Sequence, residues 1–282
     1  MKKFQLVLLT LVMASVLSAQ DLHVMSFNIR YNTAADSLNA WPYRKDKLAS
    51  QVLFHDVDLL GVQEALHGQM MDLQQLLPGF KYVGVGRTDG HTKGEYSAIF
   101  YDTARLKVLD SATFWLSLTP NVPGSKSWDA AITRIVTWAK FRDRKTKKVF
   151  YAFNTHFDHL GKTARLESSR LLMKKIDTIA GRHAVVVTGD FNEGPTEEPI
   201  RALVDPANPL HLLDAKNLSV SGHYGPEGSF NGFGPAERDD QPIDYIFLKG
   251  KWKVLKHATI AQSWRGRFAS DHFSQLAVLR QH

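Results

Sequence analysis

Three short polar motifs carry the side chains best suited to chemistry. They are Asn154-Thr155-His156, Gly189-Asp190-Phe191-Asn192 and Ser270-Asp271-His272. Each lies where an apolar, strand-like run meets a loop, which is how a rigid sheet delivers reactive groups to one rim. Carboxylate, amide and imidazole groups gathered in this way suggest metal-assisted cleavage of phosphate esters.

The order of the polar residues along the chain permits a single site. Five of them follow strand-like runs: Asn28, Glu64, His156, Asp190 and Asn192. Three others immediately precede such runs: Asp244, Asp271 and His272. In a mixed sheet, the carboxyl end of one strand lies beside the amino end of an antiparallel neighbour. We therefore expect both groups to meet on one rim.

Hydrolysis of a phosphoester needs a cation that offsets charge on the non-bridging oxygens, and a base that activates water. Glu64 is the natural hard-oxygen ligand for that cation, supported by Asn28 and Asp271. Because few protein ligands are available and waters would complete the shell, Mg²⁺ is the expected ion, with Mn²⁺ as a substitute.

The other polar residues can supply the acid and base groups. Asp190 is placed to take or orient the proton of the attacking water, and Asn192 can donate to a phosphoryl oxygen. Histidines can donate to phosphate when protonated, and a carboxylate partner favours that charged state. The predicted pairs are His272 with Asp244 and His156 with Glu95.

Short apolar runs predict eight strands: 22–27, 57–62, 97–101, 135–141, 149–153, 184–188, 243–248 and 275–279. Helical patterns lie between them, at 44–54, 68–76, 164–179 and 197–204. Strands and helices in this mixed order predict an α/β fold in which sheets are covered by helices.

Composition indicates one globular domain. The chain has 282 residues, 44% of them hydrophobic, which is enough for a substantial core. It has no cysteine, which excludes disulfides, thiolate metal sites and a cysteine nucleophile. The net charge is +7, or +5 (7 minus 2) once Lys2 and Lys3 are removed with a leader. This mild excess permits an anionic substrate and does not require nucleic acid.

Residues 1–19 are predicted to be a secretory signal peptide, and residues 20–282 a single catalytic domain. Lys2 and Lys3 precede a short apolar stretch that ends in small residues, with cleavage expected near Ala19. A membrane-spanning helix is the competing interpretation, but the stretch is shorter than the roughly 20 residues that a bilayer requires. We therefore expect a secreted or periplasmic protein without stable membrane insertion, and a monomer.

Three local patterns offer other chemistry. The basic run 142–148 is typical of a solvated hairpin tip, because no aromatic residue interleaves with its charges as in a nucleic-acid contact. His156, Asp158 and His159 could suggest zinc, but no second histidine cluster supports them. Ser270-Asp271-His272 is not a serine hydrolase relay, since adjacent residues cannot readily adopt that geometry.

The ordered set of motifs resembles the endonuclease/exonuclease/phosphatase superfamily. The matching segments cover essentially the whole mature chain: Ser26-Phe27-Asn28, Gln63-Glu64, Glu95-Tyr96-Ser97, Asn154-Thr155-His156, Gly189-Asp190-Phe191-Asn192, Ile243-Asp244-Tyr245 and Ser270-Asp271-His272. The segment 154–165 is similar to that of secreted bacterial members. The resemblance implies a four-layer α/β/β/α sandwich of two mixed β-sheets flanked by helices.

The resemblance also implies roles for single residues. Glu64 would be the main metal ligand, completed or supported by Asn28 and Asp271. The residues that would act on the phosphate and the water are His156, His272, Asp190 and Asn192, and those that would bind the substrate are Arg134 and Asn154.

Together these observations predict a metal-dependent phosphoesterase that attacks a phosphodiester or phosphomonoester with water, in line with the leaving group. Nuclease, sugar or inositol phosphatase and phospholipid head-group hydrolase remain alternative activities; nucleic acid is possible as a partner but not indicated. A protein that binds a phosphorylated ligand without turnover is the alternative from another class.

Overall fold

Two mixed β-sheets form the centre of the computed structural model, which describes residues 21–234 and 241–282. The first sheet contains β1 (Leu22–Asn28), β2 (Leu59–Ala65), β3 (Phe80–Val83), β4 (Tyr96–Asp102), β10 (His223–Tyr224), β12 (Trp252–Ile260) and β15 (Ser274–Gln281). Its spatial order is β10-β12-β15-β1-β2-β4-β3.

The second sheet contains β5 (Leu106–Trp115), β6 (Ile135–Asp143), β7 (Val149–His156), β8 (Ala184–Asp190), β9 (Leu213–Asp214) and β11 (Asp244–Lys249). Its order is β5-β6-β7-β8-β11-β9. A separate hairpin pairs β13 (Ser263–Trp264) with β14 (Arg267–Phe268).

Helices cover the outer face of each sheet. They are α1 (Lys45–Phe54), α2 (His67–Leu76), α3 (Lys162–Ala180) and α4 (Glu198–Val204), with 3₁₀ turns at Ala34–Asn39 and Trp41–Tyr43. Leu48 of α1 and Leu73 of α2 share a buried apolar cluster with Phe27 of β1. Ile176 of α3 and Leu203 of α4 share another with the second sheet.

A third apolar cluster lies between the sheets and includes Val24, Leu59, Phe141, Val186 and Ile246. Because inward side chains of both sheets fill this layer, the sheets stack face to face, as in a sandwich. The order of layers is α/β/β/α, which confirms the predicted fold.

All eight predicted strands and four predicted helices are present, with ends within three residues of those expected. The sequence did not predict the long strands β5 and β12, because exposed polar residues interrupt their apolar runs. It also did not predict the short strands β3, β9, β10, β13 and β14. The basic run 142–148 lies at the turn between β6 and β7, as the hairpin interpretation predicted.

The predicted signal peptide, residues 1–19, lies outside the described residues. Within the described ranges, no helix has the length and hydropathy that are needed to cross a membrane.

Candidate active site

Strand register brings the polar ends of the second sheet together. Strands β7 and β8 run parallel with His156 opposite Asp190, and β11 runs antiparallel to β8 with Asp244 opposite Asp190. Three candidate residues thus stand side by side at one rim of the sheet.

The first sheet delivers its groups to the same rim. Asn28 ends β1, and the parallel pairing places it opposite Gln63, next to Glu64. Asp271 and His272 lie just before β15, which runs antiparallel to β1. A carboxylate or imidazole atom from each of Glu64, His156 and Asp190 lies within 4.8 Å of the other two. The rim is therefore a shared site.

Asn28 joins the two halves of this site. Its Nδ2 donates to Glu64 Oε1 at 2.9 Å and to Asp190 Oδ2 at 2.8 Å, while its Oδ1 accepts from the backbone N of Arg30 at 3.0 Å. The amide nitrogen therefore faces the carboxylates. This geometry differs from the predicted metal-ligand role of Asn28, because an amide nitrogen does not bind a cation.

Glu64 reaches the rim from an irregular point in β2. The pairing with β4 shifts register between Val62 and Ala65, and Glu64 has a φ of 64°, in the left-handed region. Such a conformation costs on the order of 1 kcal/mol or more in a residue other than glycine and is found where surrounding structure enforces it. Here the backbone N of Tyr31 donates to Glu64 Oε2 at 3.1 Å and helps to hold the carboxylate.

Asp190 is buried and surrounded by donors. Its Oδ2 accepts from Asn28, and its Oδ1 accepts from the backbone N of Asn192 at 2.9 Å. Burial, with a further contribution from the charge of Asp244, raises the pKa of Asp190 to about 7, although His272 opposes the shift. A carboxylate with such a pKa can accept a proton near neutral pH.

His272 forms the predicted pair with Asp244. Its Nδ1 donates to Asp244 Oδ2 at 2.8 Å, and its Nε2 lies 3.8 Å from Asp190 Oδ2. Burial alone would favour the neutral ring, but the charge and hydrogen bond of Asp244 outweigh it and raise the pKa of His272 well above its usual range. His272 is therefore a proton donor at neutral pH.

His156 differs from the prediction, because it is held in the neutral form. Burial and the charge of Arg134 lower the pKa of His156 well below its usual range. Asn192 Nδ2 donates to the carbonyl of Phe157 and lies 3.0 Å from His156 Nε2. The ring nitrogen therefore accepts this hydrogen bond and the proton resides on Nδ1.

The predicted pairing of Glu95 with His156 is wrong. Glu95 Oε2 instead accepts from Arg87 Nη1 at 2.7 Å, in an ion pair whose two side chains are mostly buried. Burial raises the pKa of Glu95, although Arg87 opposes the shift. Glu95 still lines the cavity at the site.

A cavity of about 540 Å³ opens over the rim. Arg134 lines it, although the residue is only 4% exposed, and its Nε and Nη1 have no hydrogen-bond partner among the described residues. Burial, together with the charge of Arg87, lowers the pKa of Arg134 to about 10. Unpaired buried donors are costly, so this guanidinium suits an anionic ligand.

A second cavity, of about 650 Å³, shares no lining residue with this one.

Asn154 is a structural residue, which corrects its predicted role in substrate binding. It is fully buried, and its Nδ2 donates to the carbonyls of Val62 and Ala98 in the opposite sheet. Its Oδ1 accepts from Gln63 Nε2 and Thr188 Oγ1. With every donor and acceptor satisfied inside the sandwich, Asn154 connects the two sheets and does not face the cavity.

Asp158, grouped with His156 and His159 as a zinc alternative, serves the backbone. Its carboxylate accepts from the N–H groups of Ile132, Leu160 and Gly161. These hydrogen bonds hold the loop after β7 and occupy both carboxylate oxygens of Asp158.

Comparison with known proteins identifies the family. Residues 25–272 match the model of the Endonuclease/Exonuclease/phosphatase family. The chain belongs to this family. Its relatives include a family member from Bacteroides vulgatus, whose crystal structure is 40% identical, covers 93% of this chain and 99% of its own, and superposes with a TM-score of 0.89.

A second solved structure of the endonuclease/exonuclease/phosphatase family is the mannosyl-6-phosphatase of Bacteroides thetaiotaomicron. It is 37% identical over 92% of this chain and 99% of its own, with a TM-score of 0.86. An uncharacterised protein of Acanthamoeba polyphaga mimivirus is 27% identical over 179 residues, which are 60% of this chain and 66% of that protein. The chain thus spans slightly less than two thirds of that relative.

The residues at the rim fit the divalent cation on which endonuclease/exonuclease/phosphatase enzymes depend. Glu64 and Asp271 offer carboxylate oxygens, the hard ligands that Mg²⁺ and Mn²⁺ accept. Asp271 Oδ2 and Glu64 Oε2 both lie within 4 Å of the guanidinium of Arg30. The guanidinium of Arg30 is therefore in contact range of both carboxylates.

Two further residues shape the site without having been predicted. Arg30 follows the Ser26-Phe27-Asn28 motif by two positions and lines the cavity. Arg44 is 1% exposed and donates to the backbone carbonyls of Ile29, Arg30, Asn39 and Ala269. The position of Arg30 beside a motif was a usable signal. A buried arginine whose hydrogen bonds all go to backbone carbonyls has no signature in a single sequence.

Proposed function

We propose that this protein is a metal-dependent phosphoester hydrolase. The observation that carries the proposal is the position of Asp190, which lies within 4 Å of both His156 and His272 and is connected through Asn28 to Glu64. Base, acid and metal ligand are thus held in one hydrogen-bonded unit, as phosphoryl transfer to water requires.

In this mechanism Asp190 accepts the proton of the attacking water. Asn28 and the backbone N of Asn192 fix the two oxygens of the carboxylate, so that it needs no reorientation during the reaction. A Mg²⁺ ion held by Glu64 and Asp271 would offset the charge on the phosphoryl oxygens when bound.

Histidine and arginine then act on the phosphoryl group. His272, charged through its pair with Asp244, offers its Nε2 proton to a phosphoryl oxygen or the leaving oxygen. Arg134, whose guanidinium lines the same cavity, offers a positive charge to that group. His156 acts as a neutral ring, oriented by Asn192.

The substrate that we propose is a small soluble phosphomonoester, with sugar phosphates as the first class to test. The relative that supports this choice is the mannosyl-6-phosphatase, 37% identical over almost the whole chain. The bounded cavity of about 540 Å³, with Tyr31, Phe230 and Ile243 on its walls, suits a ligand of that size.

We also propose that residues 1–19 direct export, with removal near Ala19, and that residues 20–282 act as a monomer. The support for export is the basic tip and short apolar stretch at the start of the chain. Mass spectrometry of the exported protein, and its mass by light scattering, test both statements.

The substrate proposal is tested with a panel: mannose 6-phosphate, other sugar phosphates, p-nitrophenyl phosphate, bis-p-nitrophenyl phosphate, plasmid DNA, RNA and sphingomyelin. Each is incubated with Mg²⁺, Mn²⁺ or EDTA. We expect phosphate release from the monoesters with either cation and none in EDTA. Cleavage of DNA or RNA alone would replace the substrate class with nucleic acid. Tight binding of a sugar phosphate without turnover would replace the enzyme with a binding protein.

A further inference from the structure

Arg30 places a fixed positive charge beside the proposed metal ligands. Its Nη1 lies 3.9 Å from Glu64 Oε2, and its Nε lies 3.8 Å from Asp271 Oδ2. The three side chains are largely buried, with 25%, 14% and 13% of their surfaces exposed. Their charges therefore interact through a medium less polar than bulk water.

Asp36 holds the guanidinium in this position. Its Oδ2 accepts from Arg30 Nε and its Oδ1 from Arg30 Nη2, both at 3.1 Å, which is the two-pronged geometry of a strong arginine-carboxylate pair. The guanidinium also lies 4.1 Å from the centre of the Tyr31 ring. Asp36 belongs to the 3₁₀ turn Ala34–Asn39, whose end is fixed through the carbonyl of Asn39 by Arg44.

The backbone of Arg30 is held as firmly as its side chain. Its φ of 54° lies in the left-handed region, its N–H donates to Asn28, and its carbonyl accepts from Arg44 Nη2 at 2.7 Å and Gln69 Nε2 at 2.9 Å. A strained backbone that is held by three partners indicates a residue fixed for a purpose. Arg30 is not a loose surface arginine that meets acidic groups by chance.

We propose that Arg30 is a positioning residue of the metal site, and that the Arg30–Asp36 pair sets the affinity of the site for a divalent cation. The guanidinium offsets the mutual repulsion of Glu64 and Asp271 and keeps both carboxylates in place before the cation enters. The same charge repels the cation once it is bound, so Arg30 weakens metal binding. Asp36 limits this repulsion by neutralising the guanidinium. The proposal rests on the assignment of Glu64 and Asp271 as metal ligands.

Substitution of either member of the Arg30–Asp36 pair should change the affinity for the cation, and the two changes should be in opposite directions. Arg30→Gln removes the repelling charge and tightens the binding of Mg²⁺ or Mn²⁺, on the order of tenfold. Asp36→Asn leaves the guanidinium without its counter-charge and weakens binding several-fold. The double variant restores the charge balance and binds within about threefold of the wild type, as does Arg30→Lys.

Metal binding is measured without substrate, by calorimetry for Mg²⁺ and by electron paramagnetic resonance for Mn²⁺. A second readout is the melting temperature: we expect Arg30→Gln to melt lower than the wild type in EDTA and to gain more on addition of Mg²⁺. Circular dichroism verifies the fold. If Arg30→Gln does not fold, Asp36→Asn tests the sign of the effect by itself, and Arg30→Lys is its charge-matched control.

The inference is overturned if Arg30→Gln binds the cation as tightly as the wild type or more weakly, or if Asp36→Asn tightens binding. A raised KM with unchanged metal affinity in Arg30→Gln also overturns it and makes Arg30 a substrate contact. Glu64→Gln separates this result from failure of the proposed function. If wild type and Glu64→Gln bind the cation equally, the metal site itself has been assigned to the wrong residues.

Discussion

Asp190 and Asp244 lie directly opposite each other on β8 and β11, and His272 bridges them. Its Nδ1 is 2.8 Å from Asp244 Oδ2, and its Nε2 is 3.8 Å from Asp190 Oδ2. The two carboxylates share one imidazolium, yet they have different surroundings. Asp244 lies on the Nδ1 side of the His272 ring, away from the cavity, whereas Asp190 lines the cavity together with His272. In the proposed mechanism, the acid and the base therefore lie at neighbouring positions.

Asp244→Asn tests the acid. The substitution removes the charge that raises the pKa of His272, so the ring loses its proton at a lower pH. We expect the alkaline limb of the pH-rate profile to move to lower pH, with turnover at pH 8 reduced by about 10²-fold. Profiles of kcat for wild type and variant, on one phosphomonoester with Mg²⁺, provide the measurement. An unmoved alkaline limb would show that His272 is not the titrating acid.

Arg44→Met tests the buried support of the site. The substitution removes the Arg44 donor from the carbonyls of Ile29, Asn39 and Ala269, whereas the carbonyl of Arg30 keeps its hydrogen bond from Gln69 Nε2. Each unsatisfied buried acceptor costs about 1–3 kcal/mol. We expect the free energy of unfolding in urea to fall by about 3 kcal/mol or more. Arg170→Met, at a side chain that is 56% exposed, is the control and should change little. Equal stability of the two variants would refute a structural role for Arg44.

Gly61→Ala tests the close approach of the sheets. A Cβ at this position would lie 2.1 Å from Thr188 Oγ1 and 2.7 Å from Asn154 Oδ1, inside the polar contact between the sheets. Overpacking of this kind costs about 1–3 kcal/mol. Gly68→Ala in α2 is the matched control, because nothing lies within 4 Å of its added carbon, and it should stabilise the helix by up to about 1 kcal/mol. Thermal melts that show no difference between the variants would contradict the packing.

His257 provides a prediction about stability and pH. The residue is buried, its Nδ1 lies 3.0 Å from His223 Nδ1, and burial with His223 lowers the pKa of His257 to about 3. Below about pH 6.5 the imidazole of His257 binds a proton in the unfolded chain but not in the folded chain. The contribution of His257 to the free energy of unfolding is therefore fully present above pH 6.5. This stabilisation is lost as the pH falls toward 3, and the free energy of unfolding decreases by about 1 kcal/mol per pH unit.

His257→Gln should flatten this dependence in urea titrations between pH 4 and 7. The exposed residue His91 supplies the control, since His91→Gln should leave the slope as it is in the wild type. If His257→Gln does not change the slope of the free energy of unfolding against pH, His257 does not contribute to the acid sensitivity of the fold.

The sequence predicted what depends on local pattern. Apolar runs located the strands that end in Asn28, His156 and Asp190, and chain order placed those ends on one rim. The pairing of Asp244 with His272 was also predicted, because both residues flank strands that meet there.

Contacts between loops were beyond prediction. Glu95 forms an ion pair with Arg87 and not with His156, its expected partner. Nothing in the sequence indicates that Arg87 lies close to Glu95. Asn154 shares a motif and a face of β7 with His156, but it lies two residues further from the rim, where its side chain contacts the opposite sheet. The hydrogen bonds of Arg44 all go to backbone carbonyls, which have no counterpart in a sequence pattern.

The most direct test of the account is the turnover of Asp190→Asn. The variant keeps an oxygen for one donor but loses the base, so we expect kcat for a phosphomonoester with Mg²⁺ to fall by about 10²-fold or more, with the fold and metal affinity retained. Asp177→Asn, at an exposed carboxylate of α3, should keep the wild-type kcat. Turnover of Asp190→Asn at the wild-type rate would contradict the assignment of this rim as the active site.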